Sequence, residues 1–548
     1  MFSTILSAAV LGIEAYPVQV EADICDGLPQ FCMVGDLSPE VREAADRVRT
    51  ALRNTGISFP PRRVTVNLSP ANLRKEGTRF DLPVAAALLT ALGVLPQECS
   101  EDSMIVGEVG LNGAVRPVPG ILQTVLLASE RGVRRCLIPA DNIGEGQAVA
   151  GMEVWGIHSV EELIDCLLKN KAPAVNLSKS RIPITQNKQF SEDFREINGQ
   201  EAVRRAAEIA AAGMHNFLMV GSPGAGKTMI ARRIPTILPS LSLEESLEVS
   251  RVYSACGLMT GEQGLVGVRP FRAPHHTVSV SALAGGGRHI LPGELSLATR
   301  GVLFLDELPE FHRNVLETLR QPMEDGVITI SRADGKYTFP AHFQLVAAMN
   351  PCKCGFYPDR TRCNCLPGDI SRYLKRISGP LLDRIDICTE ISPVEYGELT
   401  GKRENESSEA IRSRVLAAHR RQQERYQKVG IQFNSQLTTR VIQNLCPLGT
   451  EETGIMEQAF ERFEYKKVLS KGVHTIDGKK VEISKDLWDC VPKGKEAPLT
   501  IKDGKVLVDL EREYLPGFQA PAVSCKQVAA VEKNEQKGLP LFYSLQCL

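Results

Sequence analysis

Gly221-Ser222-Pro223-Gly224-Ala225-Gly226-Lys227-Thr228 fits the pattern G-x-x-x-x-G-K-[ST] at every position. An apolar run, Asn216 to Val220, precedes it and reads as a strand, and a helical pattern follows it. That context separates a phosphate-binding loop from a chance glycine turn. Glycines let successive backbone N–H groups point inward at a phosphate, and the helix N-terminus adds a favourable dipole. Lys227 then suits the β- and γ-phosphates, and the Thr228 hydroxyl suits Mg²⁺. The fold that carries such a loop is α/β, a doubly wound parallel sheet.

A second element of the same site lies about 80 residues on, the usual order for such sites. Gly301-Val302-Leu303-Phe304-Leu305-Asp306-Glu307 is a buried strand with two carboxylates at its end. Asp306 suits a Mg²⁺ ligand, and Glu307 suits the base that orients the attacking water. Together the two motifs predict ATP hydrolysis. Leu345-Val346-Ala347-Ala348-Met349-Asn350 is another apolar strand, ending in an amide able to position the lytic water. In Leu381-Leu382-Asp383-Arg384-Ile385-Asp386, Arg384 reads equally as a finger on a neighbour's γ-phosphate or as the ion-pair partner of Asp383 or Asp386.

Moving outward, residues 1–170 mix short strands with helices and read as one compact α/β or α+β unit. Arg63–Leu68, Met104–Val109 and Arg135–Pro139 read as strands, and Leu82–Leu92 and Ile121–Glu130 as helices. Residues 171–194 have linker chemistry. The ATPase core is predicted over 195–395, opening with a helix at Gln200–Ala212, and a partial helical lid over 396–463 with a charged helix at Glu406–Lys428. From 464 to 548 the chain is lysine-rich, and Asp477-Gly478 and Asp503-Gly504 between short apolar runs suggest β-hairpins.

Lysine plus arginine total 64 against 65 acidic residues, so no global field draws the protein to nucleic acid; any such contact is a local patch. Met1–Val10 is apolar but lacks a basic start, and Glu14 interrupts it, which excludes a leader or membrane anchor and predicts a cytoplasmic protein. The 15 cysteines are odd in number and scattered, as suits a reducing compartment. Cys352, Cys354, Cys363 and Cys365 form a C-x-C…C-x-C set. Four thiolates match a structural Zn²⁺ site, although this spacing also admits fewer ligands or plain reduced thiols. His275 and His276 show neither metal nor base spacing, and a structural use is expected of them.

Four further stretches carry a family resemblance: Gly27–Gly35, Val64–Gly77, Arg269–Thr277 and Pro292–Thr299, the last leading into the acidic strand. Over roughly residues 1–463 the chain resembles the ComM/YifB family of magnesium-chelatase-like AAA+ ATPases. The resemblance implies a Lon-protease-like (S5-like) N-terminal α/β domain followed by a P-loop AAA+ domain. It implies a homo-hexameric ring, ATP with Mg²⁺ between subunits, and Arg384 as the trans-acting finger. In ComM proteins such a ring migrates DNA branches during natural transformation, so single-stranded or branched DNA is the expected partner and no small substrate other than ATP. The segment Arg269–Gly293 and the hairpin Ile328–Phe339 would lie near a pore, making Arg269, Arg272, Arg288, Arg332 and Lys336 the DNA-contact candidates. Where a Lon-type serine would stand this chain has Phe80 or Asp81, and Pro119–Thr124 contains no lysine, so no acyl chemistry is expected. After Phe463 the family's lid and its second sensor arginine have no counterpart, so the lid reads as truncated or replaced. Two competing readings are a magnesium-chelatase-type ATPase subunit and a non-catalytic nucleotide-binding assembly protein.

Overall fold

The computed structural model describes residues 1–173, 191–259, 264–287, 289–332, 335–392, 405–427, 430–445, 449–450 and 452–454, with four short strands between 472 and 508. Most of the expected linker, Arg288, the end of the expected lid and most of the tail lie outside the described residues.

The N-terminal unit is built on β1 (Phe2–Leu11) and β2 (Glu14–Cys25), paired antiparallel across a turn at Gly12 with φ +63°. Then follow β3 (Gln30–Val34), α1 (Ala44–Asn54), β4 (Arg63–Ser69), α2 (Asp81–Ala91), β5 (Ser103–Ile105), α3 (Ile121–Glu130), β6 (Arg135–Pro139), β7 (Glu153–Ile157) and α4 (Val160–Lys169). The sheet order is β3-β4-β2-β1-β5-β6-β7, antiparallel around β2 and parallel elsewhere. In β4 the alternation places Val64, Val66 and Leu68 inward, as the period-2 pattern predicts. Helix α2 is apolar on all sides and is buried on all sides, with Thr90 its one half-buried position. The strand expected over Met104–Val109 is broken. After Ile105 the chain leaves the sheet, the Gly107 N–H bonds Arg79 O at 2.9 Å, and Glu108–Val109 pairs instead with Val115–Arg116.

The second unit contains α5 (Glu201–Gly213), β8 (Phe217–Gly221), α6 (Lys227–Ile237), α7 (Leu243–Ala255), β9 (Phe271–Arg272), β10 (Val302–Leu305), the hairpin β11 (Val327–Arg332) and β12 (Gly335–Pro340), β13 (Gln344–Met349), β14 (Ile387–Ile391) and α8 (Ser408–Tyr426). Five strands form a parallel sheet in the order β9-β10-β13-β8-β14. Alternate residues feed two cores: Phe217, Met219, Phe304 and Val346 on one face, Leu218, Leu303, Leu305 and Leu345 on the other. Because the strands are parallel, their C-terminal ends share one edge, where ligands bind in such sheets. Strand β13 separates the phosphate-loop strand from the acidic strand, so the residue after β13 sits between the two motifs.

Helix α7 joins the units. Gly120 caps α3 in a left-handed conformation without a side-chain acceptor, and Ser254 of α7 takes over that role. Its carbonyl receives the Gly120 N–H at 2.8 Å and its hydroxyl the Leu122 N–H at 3.2 Å. Gln123 reaches Arg251 O at 2.6 Å. Beyond 464, Gly472–Ile476 pairs with Lys479–Ile483 and Leu499–Lys502 with Lys505–Val508, both antiparallel. The turns themselves, Asp477-Gly478 and Asp503-Gly504, fall outside the described residues.

Candidate active site

Strand β8 ends at Gly221 and α6 begins at Lys227, with the phosphate loop between them. Gly224 and Gly226 take φ of +79° and +89°, and a Cβ on either meets nothing within 4 Å. Glycine is needed there for the backbone conformation, not for space. Lys227 is only 8% exposed, and its Nζ donates to Gly221 O at 2.7 Å, Ser222 O at 2.9 Å and Asn350 Oδ1 at 3.1 Å. Burial pushes the lysine's pKa down, and Asp306 and Glu307 oppose that shift. An ammonium held mainly by neutral oxygens in a sheltered place suits an incoming anion.

Thr228 donates its hydroxyl to Asp306 Oδ2 at 2.7 Å. A hydroxyl and a carboxylate side by side are hard oxygen donors that fit Mg²⁺ with waters completing its shell. Glu307, next along, adopts φ +52°, unusual for a non-glycine residue, and its side chain is 55% exposed. It borders a cavity of about 280 Å³ lined also by Thr228, Arg232, His275, His276 and Asp306. His276 Nδ1 stands 3.7 Å from Glu307 Oε2, and the His275 and His276 rings are 4.0 Å apart. The two histidines, for which a structural use is expected, thus line the cavity beside Glu307. Strand β9 is only two residues long, too short for any period to place the following Ala273-Pro274-His275-His276 beside the acidic strand. Pairing of β9 with β10 does so.

Arg384 lies far from this cavity. Its carbonyl accepts from Asn216 Nδ2 at 2.8 Å, at the start of β8, whereas the phosphate loop follows the end of that strand. At about 3.3 Å per residue, β8 separates Arg384 from its own phosphate loop by roughly 16 Å. The Arg384 side chain bonds Glu324 and Pro380 O. Asp386, one of the two partners expected from spacing, instead accepts from Asn216 N at 3.0 Å and lies 3.2 Å from His215.

Family models agree with this layout. "Magnesium chelatase, subunit ChlI" matches residues 193–399, "Subunit ChlI of Mg-chelatase" residues 20–142 and "Magnesium chelatase, subunit ChlI C-terminal" residues 405–467. The competence protein ComM of Haemophilus influenzae is 40% identical over 463 residues, covering 84% of this chain and 89% of that protein. The uncharacterized protein YifB of Escherichia coli is 42% identical over 458 residues, covering 83% and 88%. The chain belongs to the ComM/YifB family of magnesium-chelatase-like proteins. It is accordingly an AAA+ ATPase, and ATP with Mg²⁺ is the ligand pair its site serves. A shorter likeness, 30% over 112 residues, covering 20% of this chain and 24% of the relative, links it to the DNA repair protein RadA of Escherichia coli. Residues 465–526 match a domain of unknown function instead, so the change of character after Phe463 coincides with a change of family.

Within this ComM/YifB protein the four cysteines after Asn350 come together, with all four Sγ atoms inside 4.8 Å of one another. Cys354 is pushed down to about 7: burial opposes this, but the Phe356 N–H and the neighbouring thiols outweigh it. The DNA-contact candidates divide. Arg269 is 7% exposed and bonds Glu245 Oε2 at 2.9 Å, Pro239 O at 2.7 Å and Arg300 O at 2.6 Å, so it is an internal strut and leaves that set. Arg272 makes a two-pronged pair with Glu294 at 2.6 and 2.7 Å, and is occupied likewise. Arg332 and Lys336 stay exposed near the tip of the β11–β12 hairpin, where Arg332 donates to Gly287 O. Arg288 lies outside the described residues.

In the N-terminal unit Phe80 is fully buried and Asp81 holds Arg47 through two bonds of 2.9 Å. Arg79, wholly enclosed and pushed by burial down to about 10, reaches Pro119 O and, at 3.4 Å, Ala8 O. Neither cluster presents a nucleophile to solvent.

Proposed function

We propose that the chain is a DNA-remodelling ATPase working as a cytoplasmic homo-hexameric ring, each nucleotide site completed by the next subunit. The observation that carries this is the separation of Arg384 from its own phosphate loop along β8. An arginine at that end of the strand serves a phosphate only in trans, and head-to-tail contacts that close give a ring. Glu307 accepts the proton of the attacking water, and Asn350, already on Lys227, orients that water. His276, 3.7 Å from Glu307, sits where it can steady that carboxylate. Mg²⁺, when bound, neutralises phosphate charge beside Thr228 and Asp306. Arg384 stabilises the charge that develops on the γ-phosphoryl.

DNA as the substrate is supported by the exposed cations Arg332 and Lys336 on the β11–β12 hairpin, and by the relatives named for competence and DNA repair. A Lon-type N-terminal domain without its dyad then acts as scaffold, in keeping with Arg79 and Asp81 both being engaged by protein partners. The test is ATP turnover by the full chain with and without forked DNA, against a Lys227→Ala control. Turnover that rises with DNA and disappears in the control is the expected result. DNA-indifferent turnover that responds to a porphyrin and its chelating partners points to magnesium-chelatase chemistry, the reading favoured by the family-model descriptions alone. Nucleotide binding without turnover leaves an assembly protein.

A further inference from the structure

From Pro351 to Leu366 the chain runs without helix or strand, directly after the strand that carries Asn350. A loop of that length inside a compact fold needs anchoring of its own. Its private core is small: Cys352, Tyr357, Cys363 and Ile370, with Phe356 and Leu374 against them. Cores of this size are held by a metal or a disulfide. Cys352 lies 3.3 Å from Cys354 and 3.8 Å from Cys363, sulfur to sulfur. A disulfide requires about 2.05 Å. A tetrahedron with Zn–S bonds of about 2.3 Å has edges of about 3.8 Å, within the spread of this cluster.

The loop touches the phosphate loop at two points. Asn350, two residues before Cys352, receives the Lys227 ammonium at 3.1 Å. Gly355, the residue after Cys354, has φ +86° and sends its N–H to Cys352 O at 3.0 Å. A Cβ on Gly355 would come within 2.4 Å of Pro223 Cδ and 2.7 Å of its Cγ. The backbone of the cysteine turn therefore packs closely against the proline ring of the phosphate loop, leaving no room for a side chain between them.

We propose that Cys352, Cys354, Cys363 and Cys365 hold one zinc ion, and that the clamped turn braces the phosphate loop through the Gly355–Pro223 contact. Nucleotide affinity then depends on the metal, although no cysteine touches nucleotide. This rests on Gly221–Thr228 being the nucleotide site. The brace makes ATP binding sensitive to chelation and to thiol oxidation, which removes the thiolate ligands.

The test uses the full chain. Zinc is counted by atomic emission, affinity is read with an N-methylanthraniloyl ATP, and folding is followed by thermal melting. Wild type should carry one zinc per chain. Cys363→Ser should lose the metal and weaken nucleotide binding by about tenfold, as small displacements of positioning groups do. Gly355→Ala should keep the metal and weaken binding to a similar extent, which separates the brace from the clip and guards against a Cys363 variant that fails to fold. Gly368→Ala, where an added Cβ meets nothing within 4 Å, should change neither. A wild type without zinc overturns the metal assignment. Folded Cys363→Ser and Gly355→Ala proteins with wild-type affinity overturn the brace. A wild type that binds nucleotide no better than Lys227→Ala overturns the site reading itself, and the zinc count still stands apart from it.

Discussion

At the phosphate loop, Lys227 and Thr228 are held by neighbours, yet Thr228 borders a cavity shared with Asp306 and Glu307. Around Arg79 in the N-terminal unit, charge is buried just as deeply, but every direction ends in protein: Pro119 and Ala8 carbonyls, and Glu145 nearby, which Asn142 bonds at 2.6 Å. Burial and charge alone do not distinguish a working site from a strut. Open space beside the charged groups does. The two regions are also connected, because Ser254 of α7 caps α3 while Glu245 and Glu248 of the same helix hold Arg269 and Arg300 before β10.

The sharpest way to break the comparison is at Arg384, which belongs to neither group within one chain. Arg384→Ala should lower turnover by about a thousandfold, the usual worth of a finger, with nucleotide affinity little changed. Mixing it with Lys227→Ala, each inert alone, should restore measurable turnover, because mixed rings contain intact loops facing intact fingers. No restoration would mean that the arginine acts within its own subunit or merely pairs with Glu324. Next comes Glu307→Gln, expected to cost about a hundred- to a thousandfold in turnover while retaining bound ATP. Turnover at the wild-type rate would remove Glu307 as the base.

On the closed side the effect should fall on stability. Arg79→Met leaves two buried carbonyls without a donor and removes the cation that acts on buried Glu145, at a cost of about 2 kcal/mol. A lowered denaturation midpoint with unchanged nucleotide affinity is the expected pair of results. Unchanged stability with altered turnover would instead make Arg79 part of the chemistry.

The motifs that meet around Lys227 are legible because each is a contiguous signal: an apolar strand ending in a glycine loop, in two acids, or in an amide. The parallel sheet order follows from the same strands and brings Asn350 to Lys227. What the sequence hid was assembled across distance. His276 reaches Glu307 only because a two-residue strand pairs with β10. Arg269 reads as a loop cation, and nothing local says that Glu245, 24 residues earlier, will enclose it. The broken strand at Gly107 escaped for the same reason, since its N–H is claimed by Arg79 O in the turn before α2.

The enclosure of Arg269 yields the finest test, between cations that look alike in sequence. Lys336 is exposed on the hairpin, whereas Arg269 is enclosed. Counterion release makes the logarithm of DNA affinity fall linearly with the logarithm of salt, by about 0.7 to 0.9 per phosphate contact. Lys336→Ala should therefore reduce that slope by somewhat under one contact and weaken binding alike for all sequences, leaving the melting temperature alone. Arg269→Met should do the reverse, lowering the melting temperature with the slope intact in whatever protein remains folded. If both substitutions left the slope unchanged, the hairpin would not touch DNA, and the comparison between open and enclosed charge would hold for the nucleotide site alone.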